Sequence, residues 1–422
     1  MFSGPHKVDN FPSRTGAPLK ILVHDYAGHP FQADLSRELA HRGHDVRHAY
    51  FHGDRGPKGR LEVSLSDPKG LSFTGVSITR PYDKASFVRR RFDDVSYGRA
   101  VAKLVISENP DIVISGNTPT EAQSAIVKAC GKKGPAFVFW VQDFYSIAVS
   151  KLLLKKLGVV GAAIGSYYSL LERNQFRASD AVVVITESFA GIARKWAGSN
   201  DKVFTIENWG TLNEIEPQPK DNAWARRHTI DKSFNFLYSG TLGLKHNPEL
   251  LVDLARAVRG RANVVVVSQG VGTSYLEREK REQALDNLIL IPLQPFSELS
   301  MVLAASDVAV ATIEPDAGMF SVPSKVQSYL CAGRAVLLAA PHENLASDVI
   351  RNSGAGLVVE PTDKPGFLEA ALRLLDDNDL RTESAKRGRK FALENYDVER
   401  VADRFETVFK YAIGAKTARK GI

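Results

Sequence analysis

The sequence predicts an α/β protein made of two Rossmann-like, doubly wound parallel-sheet domains that face each other across an interdomain cleft. Three observations carry this. Apolar runs without polar alternation recur along the chain, among them "KILVH", "DIVIS", "AFVFWV", "NFLYS", "NVVVV" and "AVLLAA". A strand that is apolar on both faces belongs to a sheet covered on both sides. Most of these runs are followed by a segment with helical periodicity, the alternation that builds parallel sheets with crossover helices. The series then breaks in a polar, Pro-containing stretch and restarts, and a chain of 422 residues is longer than one core usually organises.

The elements follow in order. "KILVHDYAGHPFQADLSRELAHRGHDVRHAYF" reads strand, Gly-containing turn, helix, a stop at Gly43, strand. "PDIVISGNTPTEAQSAIVKACGKKGPAFVFWVQDF" reads strand, polar turn, helix, strand, and "RASDAVVVITESFAGIARKWAG" with "DKVFTIENWG" continues the pattern. The break is "TLNEIEPQPKDNAWARRHTIDKS". The second series runs through "FNFLYSGTLGLKHNPELLVDLARAV", "ANVVVVSQG", "LILIPLQPFSELSMVLAASDVAVATIE", "SVPSKVQSYLCAGRAVLLAA" and "AGLVVEPTD". In its fourth segment Ser324 is the expected N-cap, 326–332 the helix, Gly333 the residue after its C-cap and 335–340 a buried strand. Two closing helices flank Asn395, with an aromatic stripe suited to packing. The expected division is a flexible leader over 1–18, a first domain over 19–212, a hinge over 213–232, a second domain over 233–390, and a C-terminal helix and basic tail over 391–422, whose return onto the first domain is left open.

Composition excludes several classes. Cys130 and Cys331 are the only cysteines and sit in apolar helical runs. That leaves no disulfide framework and no four-Cys zinc site, and it suits a reducing cytoplasm. The first twenty residues lack the apolar core of a signal peptide. The net charge of +7 is spread over separate clusters with no nucleic-acid reader motif, so no nucleic-acid partner is expected. "SKLLLKKLGVVGAAIGSYYSLLERNQFR" joins basic residues to an apolar middle and reads either as a core helix pair or as a surface helix touching anionic lipid.

In open parallel sheets, ligands bind at the carboxyl ends of the strands. In the second series these ends carry "YSGTLGLKH", "SQGVG" with Gly270, "PLQPFSE" and "EPDAGMFSVPSK". Lys325 is the oddity, since a cation in the first helical turn faces the positive end of the macrodipole. Paired with Lys245 and the helix-terminal N–H groups near Ser324, it could hold a diphosphate. There is no GK[ST] of a Walker A motif and no GxGxxG after the first strand. On the first domain Asp143 ends a strand, where it either orients an acceptor hydroxyl or simply caps a helix. Asn117 and Thr118 could bond sugar hydroxyls or cap the next helix. Trp209 could stack on a sugar or pack in the core, beside Asn208. Gly28 lies in the turn after the first strand, and His24 reads as a satisfied structural histidine.

"YSGTLGLKHNPELLVDLA", "ILIPLQPFSELSMVLAASDVAV" and "VPSKVQSYLCAGRAVLLA" resemble, in this order, the donor half of GT-B retaining glycosyltransferases of family 4. "LAHRGHDV", "FVFWVQDFYS", "SDAVVVITES" and "ENWG" resemble its first half, and the combination with "PLQPF" and "PSK" is most similar to the bacterial subgroup that builds O-antigens and colanic-acid-like exopolysaccharides. The resemblance implies a hexosyltransferase-type enzyme of class EC 2.4. It would move a sugar from a UDP- or GDP-linked donor to a glycan or polyprenyl-diphosphate-linked acceptor, in the cytoplasm, with peripheral contact to the anionic inner face of the membrane as an option. It implies that Lys245 binds the donor diphosphate and acts with Asp143 in catalysis, that Gly240 and Thr241 approach the phosphates, and that Leu293 helps hold the base. Ser324 and Lys325 would cradle the phosphates, and Gly28, Asn117, Thr118, Asn208 and Trp209 would lie on the acceptor side. Relatives often carry two glutamates at the positions of Phe320 and Ser328; Glu314 is the candidate for a shifted substitute. No cofactor and no catalytic metal are expected, the acids of "LLDDNDL" reading as a solvated turn. A catalytically idle partner subunit and a GT-B sugar-nucleotide epimerase are the alternatives.

Overall fold

The computed structural model describes residues 17–53, 56–78, 87–243, 246–315 and 325–420. The first sheet has seven strands: β1 (Lys20–Asp25), β2 (Asp45–Phe51), β3 (Leu71–Val76), β4 (Ile112–Gly116), β5 (Ala136–Val141), β6 (Ala181–Val184) and β7 (Val203–Thr205). Their order is β3-β2-β1-β4-β5-β6-β7 and every pairing is parallel. The second has six: β8 (Asn235–Ser239), β9 (Asn263–Ser268), β10 (Leu288–Pro292), β11 (Val308–Thr312), β12 (Ala335–Ala339) and β13 (Gly356–Val359). Their order is β10-β9-β8-β11-β12-β13, again all parallel. Each sheet therefore has a topological switch point, between β1 and β4 and between β8 and β11, where loops diverge and leave a crevice.

The apolar runs form the central strands because both of their faces are covered: β4, β5, β6, β8, β11 and β12 are buried along their whole length. The glycine stops hold too. Gly43 and Gly333 adopt φ of 93° and 61°, a region that a side chain makes costly. The helices that matter for the site are α1 (Pro30–His41), α2 (Phe87–Glu108), α3 (Thr120–Ala129), α4 (Tyr145–Ala178), α5 (Glu187–Ala197), α6 (Ala223–Arg227), α7 (Pro248–Ala257), α8 (Val271–Glu282), α9 (Leu299–Ala304) and α10 (Lys325–Cys331). Beyond them lie α11 (Leu345–Ser353), α12 (Lys364–Asp376), α13 (Asn378–Asn395) and α14 (Val398–Lys420).

The final helix crosses back from the second sheet to the first. On α14, Phe405 meets Trp140 of β5 edge-on at 4.7 Å, and Asp403 and Glu406 pair with Arg42 and His44 at 2.6 and 3.0 Å. One hydrophobic cluster consequently runs from β1 and β5 through Trp209, Ile215 and Trp224 to β12 and Phe409.

Two features depart from the sequence reading. The segment between residues 52 and 108, to which no element is assigned above, supplies an edge strand, β3, and the long helix α2. The basic-apolar segment forms the helix pair that was one of its two readings, but not one buried in the core. α4 breaks at Gly158 (φ 55°, ψ −129°) and folds back, so that a Cβ on Gly161 would sit 2.0 Å from the Leu153 carbonyl oxygen and one on Gly165 would sit 2.7 Å from Ser150 Oγ. The pair packs through its glycines and leaves Leu152, Leu154, Leu157, Val159 and Val160 exposed around its tip, so the tip is not core.

Candidate functional site

Between the two sheets lies a cleft of about 860 Å³, within the range of about 300–1,000 Å³ typical of small-molecule sites. Its first wall comes from the turn after β1 and α1 (Ala27, His29, Pro30, Phe31), the loop 56–59 and the segment just before the hinge (Asn208 to Thr211). Its second wall comes from the ends of β8 and β10 (Ser239, Gly240, Thr241, Leu293, Gln294, Pro295, Phe296), from His246 and Gln269, and from the first turns of α10 (Lys325, Gln327, Ser328, Tyr329).

The second wall is built around a glycine turn whose backbone groups are bonded to the strands and side chains behind them. Gly240 adopts φ 123°, and a Cβ there would meet Lys325 Cε at 3.4 Å. Its N–H bonds the Val267 carbonyl and its own carbonyl accepts from Ser268 Oγ, at 3.0 and 2.7 Å. Tyr329 braces the same turn: its hydroxyl accepts from Ser239 N–H at 3.1 Å and donates to the Val310 carbonyl at 3.1 Å. Lys325 donates to the Tyr238 hydroxyl at 3.0 Å, with its ammonium 4.4 Å from the centre of that ring. The cation at the start of α10 is therefore offset partly by a tyrosine face, while its side chain remains on the cleft wall. Burial pushes the Tyr238 and Tyr329 hydroxyls well above the usual phenol range, so both stay protonated donors.

The first wall centres on Asp25, the last residue of β1. It is fully buried and accepts from the backbone N–H of Ala27 at 3.2 Å, from that of His29, and from His29 Nδ1 at 3.2 Å. With the Gln32 amide turned to satisfy its neighbours, both Asp25 oxygens also accept from it at 2.9 Å. Burial opposes the charge, but the His29 imidazole and these hydrogen bonds hold the carboxyl down at about 2. Behind it, His24 bonds Ser115 and Tyr97, both at 2.8 Å, and burial pushes it down to about 3. It is a structural histidine.

Of the residues singled out in the sequence, the cleft brings together Gly240, Thr241, Leu293, Lys325, Asn208 and Trp209. Lys245, Ser324 and Phe320 lie outside the described residues. Trp209 is 3% exposed, stacked 6.0 Å from Trp140, and donates its indole N–H to Asp34 at 3.1 Å; it packs in the core rather than offering a face to a sugar. Asn208 exchanges two amide hydrogen bonds with Gln142, at 2.6 and 3.2 Å, and so pins the segment before the hinge to the end of β5. Thr118 is absorbed by the buried network, bonding the Gly116 carbonyl at 2.8 Å and His24 at 3.2 Å, whereas Asn117 (φ 52°) reaches His29 Nδ1 at 3.1 Å. Asp143 is exposed at the end of β5 beside the buried Glu172 and is not on the cleft wall. Gly28 and Gly270 are scaffold: a Cβ would sit 2.6 Å from Leu61 Cδ1 at the first and 2.8 Å from the Leu242 carbonyl oxygen at the second. Glu314, half-buried just past β11, is likewise not among the cleft-lining residues. Sequence reasoning missed the loop 56–59; His246 and Gln269 fall in the strand-end segments quoted above and His29 in the turn after the first strand, without being singled out as site residues.

The arrangement joins a second wall with a braced glycine turn and a cation to a first wall holding a carboxylate-anchored imidazole, a layout for an anionic ligand and a polar co-substrate. Comparisons with known proteins agree with it. A glycosyl transferase 4-like domain matches residues 28–209 and a glycosyl transferases group 1 domain matches residues 233–377. Over 278 residues the chain is 23% identical to the probable glycosyltransferase WbjE of Pseudomonas aeruginosa, covering 63% of this chain and 66% of that protein, just under two thirds of its length. Sucrose-phosphate synthase (tll1590) from Thermosynechococcus elongatus superimposes with a TM-score of 0.70 at 14% identity, over 92% of this chain and 98% of that one. Anabaena Alr3699/HepE in complex with UDP-glucose does so with a TM-score of 0.67 at 13% identity, over 93% and 99%. The two family models, laid end to end over the two sheets, identify the chain as a family 4-like glycosyltransferase-family member, and the whole-chain likeness shows its GT-B fold.

Proposed function

We propose that the protein transfers a hexose-type sugar, with retention of configuration, from a UDP- or GDP-linked donor to a glycan or polyprenyl-diphosphate-linked acceptor in bacterial surface polysaccharide synthesis. The observation that carries this is Lys325 beside Ser239, Gly240 and Thr241 on the second wall of the cleft. An ammonium there, beside a glycine turn that lets a ligand approach closely, can stabilise a departing diphosphate, with no catalytic metal required of the site. UDP-glucose is bound by the HepE neighbour, which supports a nucleotide-sugar donor. In this reading residues 233–390 form the donor domain and residues 19–212 the acceptor domain. Lys245 and Ser324 join Lys325 at the phosphates, and closure of the domains excludes water.

Contact with an anionic bilayer at the inner face of the cytoplasmic membrane is part of the proposal. Its support is the tip of the α4 pair, where Leu154, Leu157, Val159 and Val160 are exposed among Lys151 and Lys155. Among the described residues no helix is long and apolar enough to cross a membrane. Leu157→Asp combined with Val159→Asp is expected to abolish co-sedimentation with phosphatidylglycerol vesicles; unchanged binding contradicts the assignment.

A second reading is favoured by one observation. Ser328 lies on the cleft wall where the family resemblance implies a glutamate, as an idle nucleotide-sugar-binding subunit would allow. Release of UDP or GDP from UDP-glucose, UDP-N-acetylglucosamine and GDP-mannose separates the two, and the anomeric configuration of any product tests retention. Release of one nucleotide supports the transferase; binding without release supports the idle subunit.

A further inference from the structure

We propose that Thr211 and Gln327 form a recognition pair where the two walls of the cleft meet, binding a hydroxyl group of the nucleotide sugar between them. This rests on the transferase reading above. Neither residue stands at a position to which the family resemblance gives a role. Among the described residues of the cleft wall, Thr211 Oγ1 and Gln327 Oε1 are the buried side-chain oxygens that have no hydrogen-bond partner in the protein.

The two oxygens come from opposite walls. Thr211, 2% exposed, follows β7 on the first wall, and Gln327, 5% exposed, lies on α10 of the second. The walls touch at this place, where a Cβ on Gly210 would sit 2.9 Å from the Gln327 carbonyl oxygen. Both residues are held from behind. Thr211 opens a turn, its carbonyl accepting from the N–H groups of Glu214 and Ile215 at 3.2 and 2.9 Å. Two residues earlier, the Trp209 indole is fixed by its bond to Asp34. Gln327 sits between the buried Val326 and Tyr329, the latter tied to Ser239 and Val310. The pair is thus preorganised by groups that do not themselves satisfy it.

A buried oxygen left without a partner destabilises a fold, and an apolar group of the same shape would not. On a cleft wall, a ligand that satisfies both oxygens recovers that cost when it binds. A hydroxyl group is the complement of this pair: it donates to Gln327 Oε1 while accepting from the Thr211 hydroxyl. An anion cannot do the same, because it has no proton to give to Oε1. The neighbourhood divides the tasks accordingly. Lys325, two residues before Gln327 on the same wall, suits the diphosphate. Thr211, Gln327 and Ser328 are uncharged and add no anion that would compete for the Lys325 ammonium. A site built to bond a hydroxyl also rejects an analogue that lacks it, so the pair adds selectivity as well as affinity.

The test is calorimetric titration of UDP, GDP, UDP-glucose, UDP-N-acetylglucosamine and GDP-mannose into the full chain and into Thr211→Val and Gln327→Met. Thermal unfolding of each protein without ligand accompanies it. Both substitutions nearly keep the side-chain volume and remove an unpartnered oxygen, so Tm is expected to stay level or rise. Affinity for the ligand that carries the hydroxyl is expected to fall about 10-fold in each variant. A loss shared by a nucleoside diphosphate and its sugar conjugate supports the pair and puts the hydroxyl on the ribose. A loss confined to the conjugate supports it equally and puts the hydroxyl on the transferred sugar. Wild-type affinity for every ligand in either variant overturns the proposal. A lowered Tm in either variant overturns it as well, since the oxygen then had a partner in the free protein. Well-folded wild type that binds none of the five ligands contradicts the donor-binding reading itself, a result distinguishable from binding that is indifferent to positions 211 and 327.

Discussion

Asp34 has the least ordinary environment of the carboxyls behind the cleft. Buried on α1, it accepts the Trp209 indole N–H at 3.1 Å, and burial pushes it up to about 7 despite that hydrogen bond. Its folded value lies above the unfolded value of about 3.9. Between these limits the native state keeps a proton that the unfolded chain releases, so the contribution of this group to stability falls as pH rises and levels off above about 7. Asp34→Asn keeps the acceptor and removes the titration. The variant is expected to match the wild type near pH 4 and to become progressively more stable than it toward pH 7, as read by urea unfolding across that range; parallel curves contradict the account. Gly210 gives a steric counterpart. A Cβ there would sit 2.4 Å from Cys331 Sγ and 2.9 Å from the Gln327 carbonyl oxygen. Gly210→Ala is expected to cost about 1–3 kcal/mol by overpacking, visible as a lowered Tm, and an unchanged Tm contradicts close packing of this segment on α10.

At the scale of elements, α14 does more than close the chain. It brings Phe405 to Trp140 and Trp209, at 4.7 and 6.3 Å, and its Lys416 bonds the Cys130 carbonyl at the end of α3. Phe405→Ala is expected to cost about 3–5 kcal/mol by urea unfolding, whereas Tyr411→Ala, at a partly exposed edge contact with Phe204, should cost far less. Equal effects contradict a core role for Phe405. The elements legible in the sequence were those whose signal is local: β12 and α10 with the Gly333 stop fall where the apolar run, the helical period and the glycine place them. β3 was not legible, because an edge strand half in solvent carries Ser72, Thr74 and Gly75 instead of an apolar run. In α4 a helix pair was one of two readings, but where it reverses was not legible, since Gly158 in a helical pattern becomes a reversal only through packing of Gly161 and Gly165 on the first half.

Across the whole molecule, the hinge is tied to the first domain by charge and to the second by packing. Arg60 pairs with Asp67 and with hinge residue Glu214, at 3.0 and 3.3 Å, and Arg37 with Asp67 at 3.2 Å. Trp224 of the hinge is fully buried and donates to Gln294 behind the cleft at 3.3 Å. Such a connection lets two rigid sheets share one cleft, and the cleft's chemistry then depends on what crosses it. The most direct test is calorimetric titration of UDP and GDP into the full chain and into Lys325→Ala. The account predicts binding of one of the two by the wild type and a loss of about 10–100-fold in the variant, the worth of one charge-assisted hydrogen bond, with unfolding otherwise cooperative. Well-folded protein that binds neither nucleotide, or binds one equally well without the Lys325 ammonium, would contradict the claim that this wall holds a donor diphosphate.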